Sequence, residues 1–164
     1  MSSLIAYDLG LLFLRLSGFY LALGHGFGKT IALASGQGGG FIAAVEALGF
    51  PMPLVFAWAS ALAELVGGLC VGFGLATRVV ALFPMSAMAV AAFARHRAHE
   101  HALVALGMKS VPQEVIEQWG NPELAVIYFI CFGGVLLLGP GRISIDYLFK
   151  RKSVSRKEFG VRRN

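Results

Sequence analysis

The chain has 164 residues, 57% of them hydrophobic and only 14% charged, and its mean hydropathy is +0.71. Soluble domains run at about 45–50% apolar and about 25% charged residues, so this composition excludes an ordinary soluble enzyme domain and points to an integral membrane protein. The net charge of +5 comes mostly from a basic C-terminal tail.

A membrane-crossing helix needs about 20 mostly apolar residues. Four such segments with their connections use the chain almost fully and leave no room for a separate soluble domain. The predicted fold is all-α, an integral membrane four-helix bundle over residues 1–148 followed by a basic tail over 149–164. The opening MSSLIAYD lacks the positive stretch of a cleavable signal, so the first span is expected to be retained. The spans are read at Asp8–Ala32, Pro53–Ala76, Arg78–Arg95 and Pro122–Leu138. The turn near LATRVV, between the second and third, is tight. The connection SGQGGGFIAAVEALGFPMP is Gly-rich. The later one, HRAHEHALVALGMKSVPQEVIEQWGNP, is polar and partly amphipathic, which predicts a short helix at the interface.

The first span contains LGHGFGKT, Leu23 to Thr30, which resembles a phosphate-binding loop in its letters. That loop needs glycine, four residues, then Gly-Lys-Ser/Thr, so that successive backbone N–H groups wrap a phosphate. Here the first glycine would have to be residue 23, which is Leu23, and no strand precedes it. The stretch is better read as the end of a membrane helix. With about 100° per residue, Arg15, Gly18, Ala22, His25 and Lys29 fall in one stripe. Small residues between the polar ones let a partner helix or ligand approach closely.

The second span holds Glu64 near its middle, on a face with Ala57, Ser60, Ala61, Gly68 and Val71. A carboxylate in lipid is costly and calls for a partner inside the bundle. The third span ends at His96, and the fourth opens with Glu123. His25, Lys29, Glu64 and His96, with Glu123 as a further candidate, are therefore expected to converge on one outward-opening pocket, with Arg15 deeper. Structural readings stand beside this. Arg15 can snorkel to the surface, Glu64 can form a register-fixing ion pair with Arg15 or His25, and Lys29 and Glu123 can be interfacial caps. His96, His99, Glu100 and His101 resemble a metal cluster but read more simply as a solvated loop, so no metal is assigned. Cys70 and Cys131 lie in apolar runs without a Cys-x-x-Cys partner and read as packing residues.

Eight of the fourteen basic residues lie in the tail, from Arg142 to Arg163. The positive-inside rule then puts the tail, and with four spans the N-terminus, in the cytoplasm. Counting Arg78, nine basic residues lie inside against four outside, with Arg15 set apart as intramembrane. The tail suits anionic lipid head groups and lacks the interleaved aromatics of a nucleic-acid binder. Its first part, RISIDYLF, can lie along the membrane surface.

The chain resembles the DoxX/DoxD-like family of small bacterial membrane proteins. The resemblance is carried by LRLSGFYLALGHGFGK, ALGFPMP, AELVGGLCVGFGLATR, ARH and ELAVIYFICFGGVLLLGPGRISID, in that order, over most of residues 9 to 148. It implies a four-helix membrane bundle linked to respiratory or redox work, such as a subunit of a quinone-reducing oxidoreductase or of an oxidative-stress complex. On that reading a quinone is the expected ligand, since no haem, flavin or iron–sulfur motif is present and electrons must come from a partner or substrate. Glu64 and His25 are then the catalytic candidates, as proton carriers, and Arg15, Lys29, His96 and Arg78 the ligand-binding ones. Expected partners are membrane lipid and other oxidoreductase subunits, with a homo-oligomer allowed. The alternatives are a non-catalytic scaffold or assembly subunit and, ranked lower because no inverted repeat or broken helix is evident, a small-molecule transporter.

Overall fold

A computed structural model of the chain describes residues 2–152, and no strand occurs among the described residues. Three helices are long and apolar enough to cross a membrane, at Leu4–Ala34, Pro53–Phe73 and Thr77–Arg95. A fourth passes the same test only as a bent pair, Gln113–Trp119 with Glu123–Leu138, turned by 45°. No broken helix was expected here from residue pattern. The break lies at Gly120, with φ +72°, and at Pro122, which precedes the second piece. Asn121 accepts a hydrogen bond from the Glu123 backbone N–H and starts that piece.

Local chemistry explains the other ends. Gly36 at φ +74° closes the first span, and Gly74 at φ +73° closes the second, both in the left-handed region that glycine tolerates. Pro53 opens the second span at a position where its missing N–H costs nothing. Leu21, Val71, Met88, Tyr128 and Phe132 come from all four helices and share one buried core. Phe13, Tyr20, Leu23 and Leu137 are exposed on the outside, as a lipid-facing surface requires.

Each of the first three spans contains a π-helical turn, at Ala22–Gly26, Ala63–Gly67 and Val90–Arg95. Such turns are rare, insert an extra residue and often mark functional sites. The first two abut each other. A Cβ on Gly26 would overlap the Leu65 backbone, and one on Gly68 would stand 2.6 Å from the Gly18 carbonyl oxygen. These glycines therefore allow backbone-to-backbone contact between the first two spans. Gly24 and Gly28, by contrast, face no neighbour within 4 Å.

Two connections differ from expectation. The Gly-rich segment after the first span folds into the helix Gly39–Ala47, packed through Val45 against Leu33, Ala57 and Ala61. The amphipathic connection holds two short helices rather than one, Ala98–Ala105 and Gln113–Trp119.

Beyond Leu138 the chain ties back into the molecule. Arg142 bonds Asp8 through its guanidinium at 2.6 Å and its backbone N–H at 2.9 Å. Asp146 accepts from Ala76 N–H at 2.7 Å, Thr77 N–H at 2.9 Å and the Thr77 hydroxyl at 2.7 Å, and so caps the third span. A helix runs over residues 145–152 with Lys150, Arg151 and Lys152 exposed. Arg156, Lys157, Arg162 and Arg163 of the basic tail lie outside the described residues.

Candidate ligand site

The π turns decide which side chains face inward. Without one, His25 would follow Arg15, Gly18 and Ala22 in the buried stripe. The extra residue in Ala22–Gly26 moves that place to Gly26, which is buried, while His25 is half-exposed. His25 meets the edge of Tyr128 at 6.3 Å between ring centres. Lys29, one turn further on, points between the first two spans.

There its ammonium lies 2.6 Å from Glu64 Oε1. The Glu64 side chain is 1% exposed and the Lys29 side chain 31%. The Ser60 hydroxyl, one turn before Glu64, donates to the same oxygen at 3.2 Å. Oε2 is enclosed and has no hydrogen-bond partner. The Lys29 ammonium also stands 4.9 Å from the centre of the Phe41 ring, a cation–π contact that holds the helix Gly39–Ala47 over the pair. Sequence reading paired Glu64 with Arg15 or His25. The structure pairs it with Lys29, while Arg15 bonds the Ile143 and Gly72 carbonyls.

The pair forms part of the wall of a cavity of about 490 Å³. Phe41 and Phe50 come from the connection after the first span, Phe56 from the second and Phe83 from the third. Ser60, Ser86, Arg95 and His96 add the remaining polar groups of the wall. The volume and the aromatic lining lie within the range of small-molecule sites. His96 is anchored by its Nδ1, 2.8 Å from the Trp119 carbonyl oxygen.

Of the residues singled out from sequence, Lys29, Glu64 and His96 share this cavity, and His25, Arg15, Arg78 and Glu123 do not. Arg15 is 1% exposed and donates to the Ile143 carbonyl and, at 3.3 Å, to the Gly72 carbonyl. It does not snorkel. Arg78 is exposed and donates to the Leu137 carbonyl at 3.2 Å. Glu123 sits in a separate, more open cleft with His101 and Glu117. His96 and His101 both meet Trp119 while His99 is exposed, and among the described residues no three His, Cys, Asp or Glu side chains gather as a metal ion requires. Gly28, Lys29 and Thr30 are helical, and the Thr30 hydroxyl donates back to the Gly26 carbonyl, so no phosphate loop forms.

Sequence reading missed the aromatic cover, Phe41 and Phe50. A usable signal was present, since Phe41, Val45 and Leu48 recur at helical spacing within the Gly-rich stretch. It also missed the Trp119 carbonyl, for which side-chain patterns carry no signal.

No curated protein and no solved structure matches the chain. The DoxX family model matches residues 10–97, which takes in most of the first span, the second and third spans, and every side chain named in the wall of the cavity. The helical membrane architecture agrees with that match, and the chain belongs to the DoxX family.

Proposed function

We propose that this protein is a multi-pass component of a bacterial inner-membrane redox system, and that its cavity holds the head group of a quinone. The observation that carries the proposal is the Lys29–Glu64 pair, set in the wall of an aromatic cavity among membrane-spanning helices. The residues fit such a ligand. An aromatic lining suits the ring, and the partly exposed Lys29 ammonium keeps a donor for a carbonyl oxygen while Glu64 balances its charge. When bound, a quinone supplies two-electron, two-proton chemistry that the side chains here cannot. The chain's own part is to orient the ring, exclude water and hold protons at Glu64 and His96. His25 stays a candidate proton carrier through its contact with Tyr128. On this reading the molecule is a four-helix bundle with both termini cytoplasmic, its partners are lipid and other oxidoreductase subunits, and a homo-oligomer is compatible with it.

The test is a titration of the detergent-purified full chain with a short-tailed benzoquinone. A saturable difference spectrum and a raised melting temperature are expected, both weakened at least tenfold by K29M. Absence of both changes overturns the proposal.

A second reading, a scaffold or assembly subunit, is favoured by the other end of the molecule, where Asp8, Arg15 and Asp146 serve packing or capping. E64Q and H25N separate the two. Retained stability with lost cellular activity favours chemistry, and lost folding favours the scaffold. Transport through the cavity is the third reading, and flux in proteoliposomes would support it.

A further inference from the structure

We infer that the cavity tells the two redox forms of its ligand apart and binds the hydroxyl-bearing hydroquinone more tightly than the quinone, with His96 as the residue that discriminates. This rests on the reading of the cavity as a quinone site.

The bend before Glu123 sets the orientation of His96. The helix Gln113–Trp119 ends there, and its last carbonyls have no partner within the helix. Gly120, at φ +72°, turns the chain so that the Trp119 carbonyl faces His96. A Cβ at Gly120 would stand 3.1 Å from His96 Nδ1, so only glycine leaves room for the ring as it lies. A carbonyl oxygen only accepts. Nδ1 must therefore carry the proton of the 2.8 Å hydrogen bond, and the neutral ring keeps Nε2 as an acceptor. The main chain is fixed too, since the His96 backbone N–H donates to the Ala91 carbonyl at 2.9 Å, closing the third π turn.

The other polar groups of the wall are differently committed. Lys29 and Arg95 can only donate. Ser60 directs its proton to Glu64, and Ser86 directs its own to the Leu82 carbonyl at 2.7 Å. Glu64 is 1% exposed, with Oε1 shared by Lys29 and Ser60 and with Oε2, though unpartnered, enclosed away from the cavity surface. His96 Nε2 is left as the acceptor best placed for a ligand. A quinone has acceptor oxygens only and is served by Lys29. A hydroquinone also carries O–H donors, and one of them can reach Nε2. One additional hydrogen bond in a dry site corresponds to about tenfold in affinity.

The experiment uses the detergent-purified full chain and measures Kd for a decyl-tailed benzoquinone and, under argon, for its hydroquinone. Asparagine at 96 retains an amide donor where Nδ1 lies but has no acceptor where Nε2 lies, and glutamine does the reverse. The wild type is expected to favour the hydroquinone about tenfold. H96N is expected to remove that preference by weakening hydroquinone binding about tenfold with the melting temperature kept, and H96Q to restore part of it. Equal affinities in the wild type, or a preference that survives H96N, overturn the inference and leave the quinone reading standing. If neither form binds, the quinone reading itself fails and the inference with it.

Discussion

Lys29 and Glu64, 35 residues apart in sequence, meet at 2.6 Å between the first two spans, and the carboxylate is almost fully enclosed while the ammonium is not. Removing the lysine alone leaves a buried carboxylate without its cation, which costs about 3–5 kcal/mol in such pairs. K29M should destabilise the protein by about 3 kcal/mol, at the lower end of that range because Lys29 is 31% exposed. The double variant K29M/E64L should recover most of the loss, since matched apolar replacement of an ion pair is often neutral. Chemical unfolding in a mild detergent measures both. If K29M melts like the wild type, the pair does not hold the two spans together.

Gly26 and Gly28 lie two residues apart and should respond oppositely to alanine. At Gly26 the new methyl overlaps the Leu65 backbone, which cannot move without shifting the second span. G26A should cost about 1–3 kcal/mol or more through overpacking. Gly28 is helical with open space around it, so G28A should stabilise by roughly 0.5–1 kcal/mol on helix propensity alone. Melting curves of the two variants side by side give the comparison, and equal effects would contradict the close backbone contact.

Asp146 caps a helix to which it is not adjacent, 69 and 70 residues away from Thr77 and Ala76. D146A removes three hydrogen bonds and should cost about 1–2 kcal/mol, the usual range for a lost N-cap. Hydrogen exchange should quicken at Ala76 and Thr77 and leave the Lys29–Glu64 end unchanged. D146N keeps the acceptor oxygen and should recover part of the protection. Exchange unaltered in D146A would contradict the cap.

The Glu100 carboxyl, in the helix Ala98–Ala105, is held below the ordinary glutamate value of 4.5 chiefly by its hydrogen bond from Lys109, 2.6 Å away. A carboxyl whose folded value is depressed stabilises the fold at pH above the ordinary value and loses that contribution as the pH falls through the folded one. The connection Ala98–Lys109 should therefore loosen below pH 4.5, more readily at high salt because the pair is partly exposed. K109A should abolish this acid-dependent step in loop amide exchange. A step of the same size in K109A would assign it to another group.

Helical class, the first three spans and their ends were legible in the sequence, because lipid exposure and glycine or proline breaks are written locally in residue type. The oddity of Lys29, Glu64 and His96 was legible too, since any polar group in an apolar run must find a partner. Which partner it finds was not. The π turn at Ala22–Gly26 adds one residue to the stripe, so Gly26 takes the buried place against the Leu65 backbone and His25 turns aside. The cover from Gly39–Ala47, the distant cap by Asp146 and the Trp119 carbonyl that orients His96 likewise depend on contacts between segments far apart in the chain. Composition and periodicity report what each segment does alone, and here the site is made where segments meet.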